Sequence, residues 1–302
     1  MKRSVVIASQ SGNLRCCCIL AAAVVFWAAV GLNAQVANHS QVANYVDPFL
    51  GIAGGGNTIP GPSLPFGMIK PGPDVGDNTA NSGWKADGDI NGFSQTHVSG
   101  TGGGPKYGNI LVQPTTGEPS AVEYGSPRAD ERGTIGYYRV TLQRYGIAAE
   151  ITAAHRAAIY RFTYPAAQQA NILFDAGHFL THNNSEGQIL TASQVTVISP
   201  TEVSGSSSLK GGWNKQPQPY TVYFYAVSNT PANNWGTWRD GRLYPGKKIE
   251  APQPGSKTGA WLTFTTHPGE KVLLKIGISF LSVDQAKRNL AHEISNFDFD
   301  RV

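Results

Sequence analysis

The chain has 302 residues, with 24 Lys and Arg against 20 Asp and Glu for a formal net charge of +4, and three cysteines. All three cysteines and three of the basic residues, Lys2, Arg3 and Arg15, fall in the first 34 positions, so the other 268 residues carry no cysteine and a net charge of +1. That balance excludes a disulfide framework and leaves no electrostatic footprint for nucleic acid or an anionic membrane, while 268 residues suffice for a sizeable hydrophobic core.

The N-terminal stretch "MKRSVVIASQSGNLRCCCILAAAVVFWAAVGLNA" places basic residues ahead of an apolar run from Cys16 to Val30 and ends on small residues. It reads as a secretory signal peptide over residues 1–34, with an uncleaved anchor as the alternative, since the run is shorter than a spanning helix requires. Cys16–Cys18 stand at the start of the apolar run, whereas a lipoprotein cysteine follows it, so no lipid anchor is expected. The expected location is therefore exported, periplasmic or extracellular, with no membrane association after cleavage.

Next comes "GIAGGGNTIPGPSLPFGM", Gly51 to Met68, an ordered irregular loop whose glycines admit close approach of a ligand or a neighbouring strand. "DGDING", Asp87 to Gly92, mimics the first half of a calcium loop, but position twelve is Val98 rather than glutamate, and a turn between strands explains it. "GFSQTHVSGTGGGPKYGNI", Gly92 to Ile110, fails as a phosphate loop because Gly104 is followed by Pro105, Lys106 and Tyr107. It fails as a nucleophile elbow because neither Ser94 nor Ser99 has glycine two residues away on both sides. The following "YGNILV" reads as a strand.

From Gly136 onward, apolar and polar residues alternate in "GYYRVTLQRYGIAAEITAAHRAAIYRFTYP", and the series continues through "ANILFDAG", "SQVTVIS", "TEVSGSSS", "YTVYFYAVS", "GAWLTFTT" and "KVLLKIGISFLS". Short β-rich runs between Gly- and Pro-rich turns predict an all-β chain, a large antiparallel β-sandwich. "NTPANNWGTWRDGRLYPGKK" reads as a turn-rich interruption. Trp84, Trp213, Trp235 and Trp238 accordingly fall in stretches read as loops, where an indole either packs on the sandwich or offers a platform to the apolar face of a sugar. Residues 282–302 change character: Ser282 is a plausible N-cap, Asp284 lies in the first turn, and Ala286, Leu290 and Ile294 recur at helical spacing. A helix this short is marginal unless something packs on it.

Four stretches, "YVDPFLGIAGGGNTIPGPSLPFGMIKPGPD", "GFSQTHVSGTGGGPKYGNILVQP", "AEITAAHRAAIYRFTYP" and "KIGISFLSVDQAKRNLAHEI", occur in an order and spacing that resemble the N-terminal domain of glycoside hydrolase family 92, the exo-acting α-mannosidases. The resemblance runs from about Tyr45 to Val302. It implies a supersandwich-like N-terminal domain over residues 35–281. Residues 282–302 would then begin a helical linker to an α/α barrel that this chain does not contain. It further implies calcium-assisted, inverting hydrolysis of terminal α-mannosides at the interface of the two domains.

In that scheme the acid, the base and the Ca2+ ligands all belong to the C-terminal domain. No catalytic or metal residue is therefore expected here, and the chain alone is expected to be inactive. A stand-alone carbohydrate-binding sandwich is the alternative. The expected partners are an α-mannose-containing glycan and the C-terminal barrel. Matching positions make Trp84, His97, Ser99, Asn57 and Phe66 the candidate substrate-binding residues. His97 fits the histidine of a Thr-His pair in the family, while Gln95 stands where a histidine is common.

Overall fold

The computed structural model describes residues 43–52, 58–77, 79–80, 82–98, 106–181, 187–212 and 217–302. Within residues 43–46 there is a single 3-10 turn, Ala43–Tyr45. From Asp47 onward the chain forms one compact unit. In chain order its strands are β1 (Gly72–Val75), β2 (Ile90–Ser94), β3 (Leu111–Thr116), β4 (Arg128–Thr134), β5 (Tyr137–Leu142), β6 (Ile147–Ala153), β7 (Ala157–Tyr164) and β8 (Ala167–Asp175). The second half adds β9 (Gln188–Ser199), β10 (Glu202–Gly211), β11 (Tyr220–Ser228), β12 (Asn234–Arg239), β13 (Arg242–Pro245), β14 (Ile249–Glu250), β15 (Thr258–Thr266) and β16 (Glu270–Ser279), followed by helix α1 (Val283–Glu293).

The strands pair into two antiparallel sheets. One has seven strands in the order β1-β2-β3-β8-β15-β12-β13; the other has nine, in the order β14-β9-β10-β11-β16-β7-β6-β5-β4. Alternation along β5 and β9 sends every second side chain inward, as expected of sheets packed on one face. The interior is aromatic and β-branched: Phe93, Val112, Phe174 and Leu262 of the smaller sheet meet Tyr160, Phe162, Phe224 and Ile276 of the larger, all buried. Phe174 and Phe224 stack across the gap with ring centroids 6.3 Å apart.

The expected sandwich is thus the observed one, with a correction at "NTPANNWGTWRDGRLYPGKK". This stretch is no mere interruption but the hairpin β12–β13, paired Trp238 to Leu243 and Arg239 to Arg242 around Asp240-Gly241. Both turn residues have positive φ, 47° and 82°, the backbone that an Asp-Gly hairpin turn requires. Trp235 and Trp238 consequently belong to a strand rather than to a loop. Trp238 lies opposite Gly259 and Trp261 opposite Gly236, so each indole covers a glycine on the neighbouring strand, and the two rings stack at 6.4 Å. A Cβ at Gly259 would stand 1.9 Å from the Trp238 ring, which is why that position takes no side chain.

Helix α1 forms where its spacing placed it. Ser282 caps it, its Oγ accepting from the Gln285 amide at 3.1 Å, and Ala286 and Leu290 are buried against the nine-stranded sheet together with Ile294. The docking partner the sequence left open is β16, the central strand. Gly277 lets the helix approach so closely that a Cβ there would lie 2.4 Å from the Ala286 carbonyl oxygen. Asn289 Nδ2 donates to the Ile278 carbonyl at 2.8 Å. At the far end the Lys275 ammonium donates to the Ile294 and Ser295 carbonyls, both at 3.0 Å, satisfying acceptors that a helix end leaves open. Arg156 adds an ion pair to Glu293.

Gly277→Ala is expected to displace α1 and to destabilise the domain by about 1–3 kcal/mol, the usual range for overpacking. Chemical denaturation of the two proteins checks this; an unchanged midpoint would show that the helix is not held against β16.

Candidate functional site

Direct pairing across the seven-stranded sheet aligns Gly72, Ser94, Leu111, Asp175, Gly259 and Trp238 in one row. Paired residues share a face, and this row lies on the face turned away from the interior, opposite that of Phe93, Val112 and Phe174. Two features are built on it: a buried ionic node around Asp74, and a surface pocket beside Asp175.

Asp74, on β1, is fully buried and receives both histidines of this region. His97 Nε2 lies 2.8 Å from Oδ1 and His178 Nε2 lies 2.7 Å from Oδ2. His97 Nδ1 is 2.8 Å from the Lys70 carbonyl oxygen, and Ser94 Oγ is 3.1 Å from Nε2. A carbonyl and a carboxylate oxygen only accept, so the arrangement selects an imidazolium that donates from both nitrogens. Burial alone lowers the His97 pKa, but the charge and hydrogen bond of Asp74 outweigh it and raise the group above its ordinary 6.5. Burial alone would raise Asp74, but the His97 charge and the hydrogen bonds from both rings hold it well below the usual carboxylate range.

Gly83 rests directly on this node. It has φ 86°, and a Cβ there would stand 2.1 Å from Asp74 Oδ1 and 2.9 Å from His97 Nε2. The ion pair therefore supports the loop that carries Trp84. His97, a candidate contact on sequence grounds, is buried with both nitrogens engaged, so it acts as a support beneath the surface rather than as a wall facing a sugar. Gln95 is also buried. Its amide donates to the Phe93 carbonyl and its oxygen accepts from Tyr160 Oη at 2.9 Å, joining the two sheets. The chain on either side of the glycine-rich loop is stitched together where Thr96 Oγ1 donates to Asn109 Oδ1 and the Gln95 amide donates to the Asn109 carbonyl.

Trp84 is half-buried. Its Nε1 donates to Glu131 Oε1 at 2.8 Å, the Arg128 guanidinium lies 5.0 Å from the ring centroid, and Phe49 meets it edge to face. The indole is thus held by packing and by a cation, with an exposed margin that remains available. Arg128 Nη1 is buried and has no hydrogen-bond partner among the described residues. Phe66 is the opposite case: its ring is fully exposed and its φ is 60°, a conformation that non-glycine residues rarely adopt. The backbone around it is fixed by Gly67 N–H to the Leu64 carbonyl and by Met68 N–H to the His155 carbonyl. Asn57 and Ser99, like Trp213, lie outside the described residues.

Sequence reasoning missed Asp74 and His178 altogether. It also missed a pocket of about 390 Å3 beside the row, bounded by Tyr124, Asp175, His178, Trp238, Asp240 and Lys257. Only the Asp-Gly turn and the aromatic content of β12 hinted at it. Among the described residues no group of three or more His, Cys, Asp or Glu side chains is placed to hold a metal ion. No described helix is long and apolar enough to cross a membrane.

Comparison with known proteins adds to this geometry. The model of the glycosyl hydrolase family 92 N-terminal domain matches residues 45–279. A curated protein of Arthroderma benhamiae, described as an uncharacterized secreted glycosidase, is 30% identical, the alignment covering 87% of this chain and 36% of that protein. A family GH92 α-mannosidase of Bacteroides thetaiotaomicron, solved with mannoimidazole, is 32% identical with a TM-score of 0.75 over 85% of this chain and 35% of its own. A GH92 glycosyl hydrolase named ccman5 is 29% identical with a TM-score of 0.70, over 86% and 35% respectively. The chain thus spans about a third of the length of the relatives it matches.

The Asp74–His97 pair stabilises the fold most between the two ordinary values, 3.8 and 6.5. The Asp74 contribution is lost as pH falls through its depressed value, and that of His97 as pH rises through its raised one. Asp74→Asn, which strands a buried imidazole, is expected to cost about 3–5 kcal/mol near pH 6. The deficit should shrink as both proteins are taken above the raised His97 pKa, where the imidazole gives up its charge while Asp74 stays ionised. Urea melts across that range test this, and a deficit independent of pH would show that His97 is not charged.

Proposed function

The chain belongs to glycosyl hydrolase family 92 through that family's N-terminal domain, and we propose that it is the carbohydrate-facing sandwich of an exported, calcium-dependent, inverting α-mannosidase. The observation that carries this reading is the family match over residues 45–279 in a chain that spans only about a third of its α-mannosidase relatives. The secreted description of the Arthroderma relative and the leader-like N-terminus support export.

In this reading the chemistry belongs to a second domain. Inversion needs a carboxylic acid to protonate the leaving oxygen and a carboxylate to activate water from the opposite face, the two roughly 6.5–9.5 Å apart. The sandwich supplies shape. Its node holds the Trp84 loop rigid, Arg128 keeps a buried donor for which a sugar hydroxyl or a second-domain acceptor is the natural partner, and Phe66 presents an unpacked ring. Asn57 and Ser99 keep their candidate standing from the motif match alone.

The 302-residue chain by itself is expected to release no mannose from 4-nitrophenyl α-mannoside or α-mannobiose. Joined to the catalytic domain of a family 92 relative, it should yield β-mannose as the first product by NMR, lose activity with a chelator and regain it with Ca2+. Mannose released by the isolated chain would overturn the reading, and saturable binding without hydrolysis in either form would favour a stand-alone binding module. In the joined enzyme Phe66→Ala is expected to raise KM about tenfold with an unchanged melting temperature, because the ring is fully exposed on the sandwich. Unaltered kinetics would remove Phe66 from the site.

A further inference from the structure

The pocket beside Asp175 is not used by the reading above. It lies on the outer face of the seven-stranded sheet, and its volume of about 390 Å3 falls within the range of small-ligand sites. Its floor is rigid: Trp238 is clamped between the Gly259 backbone and the stacked Trp261. Its polar groups are fixed in advance. Tyr124 Oη donates to Asp175 Oδ2 at 2.6 Å, and the Gly177 amide donates to Oδ1 at 2.8 Å. On the rim, Asp240 is held by the hairpin turn and by the Lys257 amide, which donates to its Oδ1 at 2.8 Å.

These bonds leave acceptor capacity unused. A carboxylate offers about four lone-pair sites, of which Asp175 uses two and Asp240 one. The Lys257 ammonium makes no ion pair among the described residues, resting 5.7 Å from the Phe179 ring centroid. Three carboxylates, Glu123, Asp175 and Asp240, against one ammonium repel a phosphate or other anion, and no metal-binding cluster is present among the described residues. What fits an excess of oriented acceptors with few donors is a neutral ligand that brings several hydroxyl donors.

We propose that this pocket is a second carbohydrate-binding site, separate from the Trp84 and Phe66 surface, that takes one neutral pyranoside unit. Asp175 and Asp240 accept from its hydroxyls, Lys257 donates to a ring or hydroxyl oxygen, and the largely buried Trp238 closes the base of the pocket beneath it. An occupied site would anchor a glycan by a sugar unit that is not itself cleaved.

The test is a titration of the 15N-labelled 302-residue chain with methyl α-mannoside, methyl α-glucoside and methyl α-galactoside, followed by amide spectra. At least one sugar should shift the Asp240, Gly241 and Lys257 amides saturably. Asp240→Ala and Lys257→Met should each weaken that binding about tenfold, whereas Trp84→Ala and Phe66→Ala should leave it unchanged. Lys257→Met serves as the independent check should Asp240→Ala disturb the hairpin. The proposal is overturned if none of the three sugars moves these amides, or if the shifts survive Lys257→Met and vanish with Trp84→Ala. Either result leaves the hydrolysis experiment on the joined enzyme untouched, so the two readings fail separately.

Discussion

A carboxylate sealed inside a protein must be neutralised or paired, and Asp74 is sealed completely. Pairing it recruits His97 and His178, 23 and 104 positions further along the chain, and His97 in turn engages the Lys70 carbonyl. Four separate segments are thereby brought to one point: the entrance to β1, the end of β2, the segment after β8, and the Gly83 turn that lies on top. The row that crosses the seven-stranded sheet, the stem of the glycine-rich loop and the setting of Trp84 all inherit their positions from that requirement. Replacing the ion pair with apolar groups of equal volume could preserve the packing, but it would leave Gly83 resting on a surface with no directional bonds.

The site has two tiers. Buried polar groups, among them His97, Gln95, Thr96 and Asn109, spend their hydrogen bonds on one another and fix the backbone. Groups nearer the surface, namely Phe66, the margin of Trp84, Asp240 and Lys257, are left with unused capacity. A residue type alone does not reveal its tier: His97 and Phe66 are both candidate contacts on sequence grounds, yet His97 is buried with its nitrogens engaged and Phe66 lies in solvent.

Much of the fold was legible because it rests on local pattern. Alternation located β8 to β11, β15 and β16, and it read two runs divided at Gly146 over residues 136–165 where the chain forms three strands, β5, β6 and β7; Ser282, Asp284 and the Ala286–Leu290–Ile294 spacing located α1 with its cap. The hairpin β12–β13 was missed although its Asp-Gly turn is a strong short-range signal, since the surrounding Asn, Gly and Pro residues read as loop. The node was not legible at all. Asp74 sits in "PGPDV", which has no motif, and its partners are defined only by strand pairing. Likewise, the orientation of position 97 depends on which face of the sheet it meets, which no spacing in "SQTHVSG" encodes. The family motifs located the site region, but they could not distinguish supporting residues from facing ones.

The Lys275 ammonium has a consequence for how the protein opens. It projects from the central strand of the nine-stranded sheet and grips the end of α1, while Gly277 on the same strand receives the helix's middle. A helix of eleven residues on its own would ordinarily fray, exchanging its amide hydrogens at nearly the rate of free peptide. Here, releasing the helix exposes a buried amine and bares the middle of the sheet. Its protection against exchange is therefore set by the slowest-opening strand rather than by its own length, and helix and sheet behave as one cooperative unit.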